Sequence, residues 1–282
     1  MGEHIPLNLY LWGMSKPLIL VTNDDGIVSP GIRALVEVMQ QFGDVTVVAP
    51  DSPQSGMGHA ITIHDPLRLQ KVNVFGDIPS YQCSGTPVDC VKMAIDKIFH
   101  RKPDLCVSGI NHGSNASINV IYSGTMSAAM EAAIDGIPAI GFSLLDFSFE
   151  ADFSAAQVYA EKIVRNILKA GIPKDSLLNV NFPKLPLSKI KGMKICRQAS
   201  AKWEEEFDER IDPNGKKYYW LTGNFVNKDQ GEDTDIWALE NGYVSIVPVQ
   251  FDLTHHHAIS YINENWQLHE EIKDKKIDIQ KS

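Results

Sequence analysis

VTNDDGIVSPGI, Val21 to Ile32, decides how this chain is read. The apolar run that leads into it, PLILV from Pro17 to Val21, has the length and composition of a buried strand. Beyond it, Ser29 is placed to cap a helix, and Pro30 suits the first turn, where a missing N–H costs nothing. Ile32, Leu35, Val36 and Met39 then recur at helical spacing. Asn23, Asp24, Asp25 and Gly26 therefore fall in a loop at the carboxyl end of a strand, where open α/β sheets hold their ligands. Gly26 suits a tight turn or the close approach of a ligand. The adjacent carboxylates have two readings: hard oxygen donors for Mg²⁺ or Mn²⁺, or compensation of the next helix's dipole.

The same alternation continues outward. DVTVVAP (Asp44 to Pro50) predicts a second strand, followed by the loop SPQSGMGH. Segments near Ala60 to Ile63 and Leu67 to Phe75 predict a hairpin or an exposed β excursion. Thr86-Pro87 repeats the cap-plus-proline start, DLCVSGI (Asp104 to Ile110) is a strand, SGTMSAAMEAAIDG a helix and IPAIGFS (Ile137 to Ser143) another strand. A long helix is expected over roughly Phe149 to Ala170. This order predicts an α/β fold with a doubly wound, mostly parallel sheet. Leu177 to Pro183, Met193 to Arg197, Lys216 to Gly223 and Tyr243 to Val249 are strand-like, separated by turns and by the acidic patch Glu204 to Asp208. The expected organisation is an N-terminal extension over 1–15, a core over 16–190, and a β-rich region over 191–282 that returns to the core. A terminal helix and a solvated end at Glu270 to Lys281 complete it.

Bulk composition narrows the partners. A chain of 282 residues, 44% apolar and 22% charged, is an ordinary soluble protein. A net charge of -9 leaves no basic stripe to displace counterions, which argues against nucleic acid but not against a small phosphorylated ligand. The four cysteines form no CxxC pair, and Cys90 and Cys106 read as core thiols, which points to a reducing compartment. The apolar run in MGEHIPLNLYLWGMS is short for a signal peptide, and no later segment approaches a membrane span. A cytoplasmic protein with no membrane partner is expected.

Two further strand ends carry chemistry. In APDSPQSG, Ser55 offers a neutral oxygen while Gly56 and Gly58 let the loop bend inward. In VSGINHGSN, Asn111 can coordinate a cation through its amide oxygen or hydrogen-bond an anion, with Asn115 supporting the same loop. Each alone is an ordinary turn residue; their weight comes from convergence on one sheet. Ser123, Gly124 and Thr125 occupy a predicted helix start, which either holds an anion or simply caps an Ala-rich helix. Neither a Walker GxxxxGK[ST] nor a strand-linked GxGxxG is present. Asn23 stands where a DxDG phosphatase needs its attacking carboxylate, so a water nucleophile is simpler. His255, His256 and His257 read as loop or helix-start residues, and His59 and His112 flank the ligand loops.

VTNDDGI, APDSPQSG, SGINHGSN and YSGTMSAAMEAA, in this order, resemble the successive signatures of the SurE family of acid-phosphatase-like nucleotidases, and GEDTDIWALENGYVSIVPV resembles its C-terminal region. The resemblance runs from about Lys16 to His257. It implies a Rossmann-like core with a β-rich extension or swapping arm, assembled as a dimer or tetramer. It implies hydrolysis of nucleoside 5'-monophosphates, with broader 3'-nucleotide or short-polyphosphate activity, using one divalent metal per subunit. Carried over by motif, the metal ligands are Asp24, Asp25, Ser55 and Asn111; a metal-activated water gives Asp24 or Asp25 a further, catalytic role as the acceptor of its proton. Asn23 supports the metal loop, and Asn111, Asn115, Ser123, Gly124 and Thr125 lie on the phosphate side. The family often has a glycine and an aspartate after the second asparagine, where this chain reads Asn115-Ala116-Ser117-Ile118-Asn119. Rival readings are a metal-dependent glycosyltransferase using a diphosphate sugar and a non-enzymatic nucleotide-binding regulator.

Overall fold

Leu18–Thr22 forms β1, and its side chains divide between two apolar layers: Ile19 and Val21 enter one, Leu20 the other. A strand covered on both faces belongs in the middle of a parallel sheet. The computed structural model describes residues 16–266. The expected extension over 1–15 and the charged end at Glu270 to Lys281 lie outside the described residues. After β1, α1 (Pro30–Met39) buries Ile32, Leu35, Val36 and Met39. Ser29 takes the N-cap position, yet its hydroxyl makes no bond to the helix backbone; it accepts from the Asn23 amide at 2.8 Å. The cap expected from sequence is thus turned toward the loop before it.

The chain continues through β2 (Asp44–Pro50), β3 (Leu69–Val72), β4 (Ser80–Cys83), α2 (Pro87–Met93), β5 (Leu105–His112), α3 (Gly124–Ile134), β6 (Ala139–Leu144), α4 (Ser154–Ala170) and β7 (Ser176–Phe182). Then come β8 (Gly192–Ile195), β9 (Ala201–Ile211), β10 (Lys217–Asn227), α5 (Asp235–Glu240) and β11 (Tyr243–Gln250). Nine strands make one sheet in the order β3-β4-β2-β1-β5-β6-β7-β11-β8. From β4 to β7 every neighbour is parallel. Helices α1 and α4 cover one face through residues such as Leu35 and Ile163. Helices α2 and α3 cover the other through Val91 and Ala129. This is the expected doubly wound sheet. The strand order reverses between β1 and β5, so their carboxyl ends open a crevice.

Several elements differ from the sequence expectation. β3 pairs with β4, not with Ala60–Ile63, which forms no strand. That stretch is held by the start of α2 instead: the Thr62 N–H donates to Asp89 at 3.2 Å and the Thr86 hydroxyl to the Ala60 carbonyl at 2.7 Å. Helix α4 begins at Ser154 rather than Phe149, with the Ser154 N–H donating to Asp152 at 2.9 Å. The acidic patch Glu204 to Asp208 is not a separator; it lies inside β9, which pairs with β10 as a two-stranded arm. The segment GEDTDIWALE supplies the short α5, capped by Thr234. Strand β11 runs antiparallel to β7 and parallel to β8, so β8 and β11 belong to the main sheet.

Residues from Asp252 form a second unit. Within it α6 (His256–Asn265) starts on His255, whose ring nitrogen accepts from the Ala258 N–H at 3.1 Å. The three histidines are a helix start, as read from sequence. Among the described residues no helix is long and apolar enough to cross a membrane.

Candidate active site

The loop after β1 is closed from within. The Asn23 amide donates to the Gly26 carbonyl at 2.9 Å as well as to Ser29, and Gly26 takes φ +93, a conformation that favours glycine. The next loop docks on it, with the Ile27 N–H donating to the Pro50 carbonyl and the Gln54 N–H to the Asp24 carbonyl. These bonds bring the ends of β1 and β2 together. The third strand end is shaped by an irregularity in β5 between Ser108 and Asn111. Gly109, at φ +120, lies where a side chain would strike the Phe142 carbonyl.

Asp24 is buried and its carboxylate accepts the Thr125 hydroxyl. Burial first, and the neighbouring Asp25 second, push the Asp24 carboxyl up to about 6, against the lowering effect of Thr125. Burial also raises Asp25, whose Oδ2 accepts the His112 N–H at 3.3 Å. Gly124 explains how Asp24 reaches the start of α3: a Cβ there would lie 2.7 Å from the Asp24 Cβ. The helix N-terminus is thus approached by a carboxylate of the protein itself.

The predicted residues converge, with distinctions among them. Asp24, Ser55, Asn111, Asn115 and Ser123 line one cavity of about 670 Å³. Asp25 lines an adjacent cavity of about 500 Å³, and His112 and Phe147 belong to both. Asn111 donates its amide to the Gly113 carbonyl at 3.0 Å, which leaves its oxygen as the available group. Asn115 is anchored by Ser143 at 2.7 Å, by Asn181, which accepts its N–H at 2.8 Å, and by the Asn179 amide at 2.8 Å. The Ser123 hydroxyl accepts from the Met126 N–H at 3.0 Å, so its own proton is free to donate. Asn23 and Thr125 act behind the cavity. His59 is turned away and sits 2.8 Å from Glu131, which Lys92 also contacts.

The donor set fits a hard cation. Among the described residues neither Asp24 nor Asp25 forms a salt bridge with Lys, Arg or His, and burial, the first cause of their raised carboxyls, disfavours their charged form unless a cation joins them. No group of three or more His, Cys, Asp and Glu is placed to hold a metal among the described residues. A cation would need the two carboxylates completed by the neutral oxygens of Ser55 and Asn111, a composition suited to Mg²⁺ or Mn²⁺ rather than to a softer metal.

Other parts of the cavity wall, among them Tyr122, Trp203 and Phe225, are not legible in the motifs. The last two face each other across the arm, and the turn Asp212-Pro213-Asn214-Gly215 was the signal that could have revealed the pairing.

A doubly wound α/β sheet with an acidic, oxygen-lined crevice at its switch point places this chain in the Rossmann-like class, whose ligands sit at that crevice. The Survival protein SurE family model matches residues 19–205, and the chain belongs to the SurE family. The 5'-nucleotidase SurE of Christiangramia forsetii is 66% identical over 257 residues, covering 90% of this chain and 98% of that protein. The 5'-nucleotidase SurE of Flavobacterium psychrophilum is 65% identical over 256 residues, covering 90% and 99% respectively. The crystal structure of SurE protein from Aquifex aeolicus superposes with a TM-score of 0.77 at 42% identity, covering 88% of this chain and 99% of that one.

Proposed function

We infer that this chain is a 5'-nucleotidase that hydrolyses nucleoside monophosphates to nucleoside and phosphate. The observation that carries the reading is the adjacent Asp24–Asp25 pair at the strand end: Asp24 is seated against the start of α3 and lines a cavity with Ser55, Asn111, Asn115 and Ser123, and Asp25 lines the cavity beside it. Asp24, Asp25, Ser55 and Asn111 would hold one divalent cation per subunit, Mg²⁺ or Mn²⁺. When bound, the cation supplies charge neutralisation of the phosphoryl group and acidifies the attacking water.

The chain's own residues do the remaining work. Asp24 or Asp25 accepts a proton from the attacking water, which needs no aspartyl-phosphate. Ser123 donates its free hydroxyl proton toward a nonbridging phosphate oxygen, and Asn115, fixed by three hydrogen bonds, shapes the same wall. Activity on 3'-nucleotides or short polyphosphate belongs to this reading, because the phosphate end has the recognisable chemistry. So do a cytoplasmic location, which suits four free and buried cysteines, and self-association through the arm.

The test is phosphate release from a panel of nucleoside monophosphates, with and without chelator, for wild type and Asp25→Asn. The substitution keeps size and removes one charge. It should lower kcat/KM by roughly 100- to 1,000-fold, equivalent to about 3–4 kcal/mol, and reduce metal affinity while circular dichroism stays unchanged. A folded variant with unaltered kcat/KM and metal titration would refute the assignment.

A further inference from the structure

The cavity that begins at Asp24 does not end with phosphate-sized chemistry. Its volume of about 670 Å³ is in the range of small-molecule sites, about 300–1,000 Å³, and far exceeds what one phosphoryl group occupies. One loop, the stretch from Asn111 to Ser123, lines the cavity along its length. It contributes Asn111 and Asn115 beside the acidic pair, then Asn119 and Tyr122 toward the root of the arm. There the wall becomes aromatic.

Trp203 and Phe225 are cross-strand partners at the base of the arm, with ring centroids 5.5 Å apart in an edge contact. The Trp203 indole N–H donates to the side-chain amide oxygen of Asn119 at 2.8 Å. A ring gripped at its nitrogen and at one edge has a fixed plane, and at 44% exposure it keeps surface open to the cavity it lines. The root that carries it is tied down by buried groups. Asp235 accepts the Ser117 N–H at 2.7 Å and the Ala199 N–H at 3.0 Å, while the Ser117 hydroxyl donates to the carbonyls of Ala199 and Ala201. The aromatic wall and the phosphate loop are therefore parts of one rigid joint.

We propose that Trp203, backed by Phe225, is the stacking platform for the nucleobase, so that the arm root sets nucleotide recognition at the site proposed above. This inference rests on the nucleotidase reading. A nucleoside monophosphate has the matching distribution of chemistry: an anionic end for the acidic, cation-binding crevice and a flat aromatic end for the indole. Stacking accepts every base, because each has a π-face, and it favours purines through their larger area. The side-chain amide oxygen of Asn119 is already committed to the indole, so recognition rests on the face of the base rather than its edge.

The experiment compares adenosine 5'-monophosphate, cytidine 5'-monophosphate and ribose 5-phosphate as substrates. Wild type should show its lowest KM for the purine nucleotide and its highest for the sugar phosphate. Trp203→Leu keeps apolar bulk but removes the π-face. It should raise KM for adenosine 5'-monophosphate about 10- to 100-fold with kcat within about twofold, and leave ribose 5-phosphate hydrolysis unchanged. Trp203→Phe should retain most of the discrimination, and Phe225→Leu should shift it in the same direction without loss of the indole bond. Unchanged discrimination in both leucine variants overturns the platform alone. An equal loss on all three substrates also overturns it, since that marks a structural role. Wild type that prefers ribose 5-phosphate defeats the nucleotidase reading before any variant is made, and the platform with it.

Discussion

A single hydrogen atom at Gly124 decides where Asp24 stands. The helix start and the carboxylate are packed so closely that a methyl group would meet the Asp24 Cβ at 2.7 Å and its Oδ2 at 3.0 Å. Gly124→Ala is therefore a separation-of-function change. Alanine favours the helix by up to about 1 kcal/mol, while a displacement of the carboxylate by a fraction of an ångström costs catalysis. Thermal unfolding should stay within a few degrees of wild type, and kcat/KM should fall about 10- to 100-fold. A variant as active as wild type would show that Asp24 can shift without consequence. The acidic pair was legible in the sequence because strand, loop and helix start are adjacent there. The purpose of Gly124 was not, because it depends on a contact with Asp24, far away along the chain.

The element that carries Ser55 is steadied from the opposite side of its loop. Glu131 on α3 is buried and holds both His59 and Lys92. Its bonds to His59, then to Lys92, outweigh burial and keep the carboxyl below the usual glutamate range. A depressed carboxyl contributes stability that is present above its unfolded pKa and lost as pH falls through the folded value. Glu131→Gln should therefore cost about 1–2 kcal/mol at neutral pH, and the difference from wild type should shrink in acid below the ordinary glutamate range. Denaturant unfolding of both proteins across that window is the check; a pH-independent difference would remove the ionic origin. Elements like α1 and α3 were readable from caps and spacing. Strands β4 and β9 were not. Ser80–Cys83 is too short to show a period, and in β9 three consecutive glutamates mask the Trp203, Phe207, Ile211 stripe that only pairing with β10 makes visible.

At the scale of the whole molecule, the arm is an unfinished surface. Phe207 and Leu221 are directly paired on one of its faces, and both are exposed, at 66% and 62%. An isolated two-stranded ribbon is marginal in water, so a second copy of the chain is the proposed cover. Phe207→Lys with Leu221→Lys should shift sedimentation at micromolar concentration toward the monomer, while the fold of the main sheet is retained by circular dichroism. An unchanged sedimentation coefficient would place the contact elsewhere.

The seating of β11 between β7 and β8 has a further consequence for how the chain is made. Synthesis delivers the loops of β1, β2 and β5 early, yet the place beside β7 is filled only when Tyr243–Gln250 emerges. Until then the nascent sheet presents β7 as an open edge, the kind of template on which strands of other chains can pair. The arm, β9 and β10, is also translated during that interval. The polypeptide thus holds its chemistry ready before its sheet is sealed, and the last strand of that sheet ends the period in which misassembly on the ribosome is easiest.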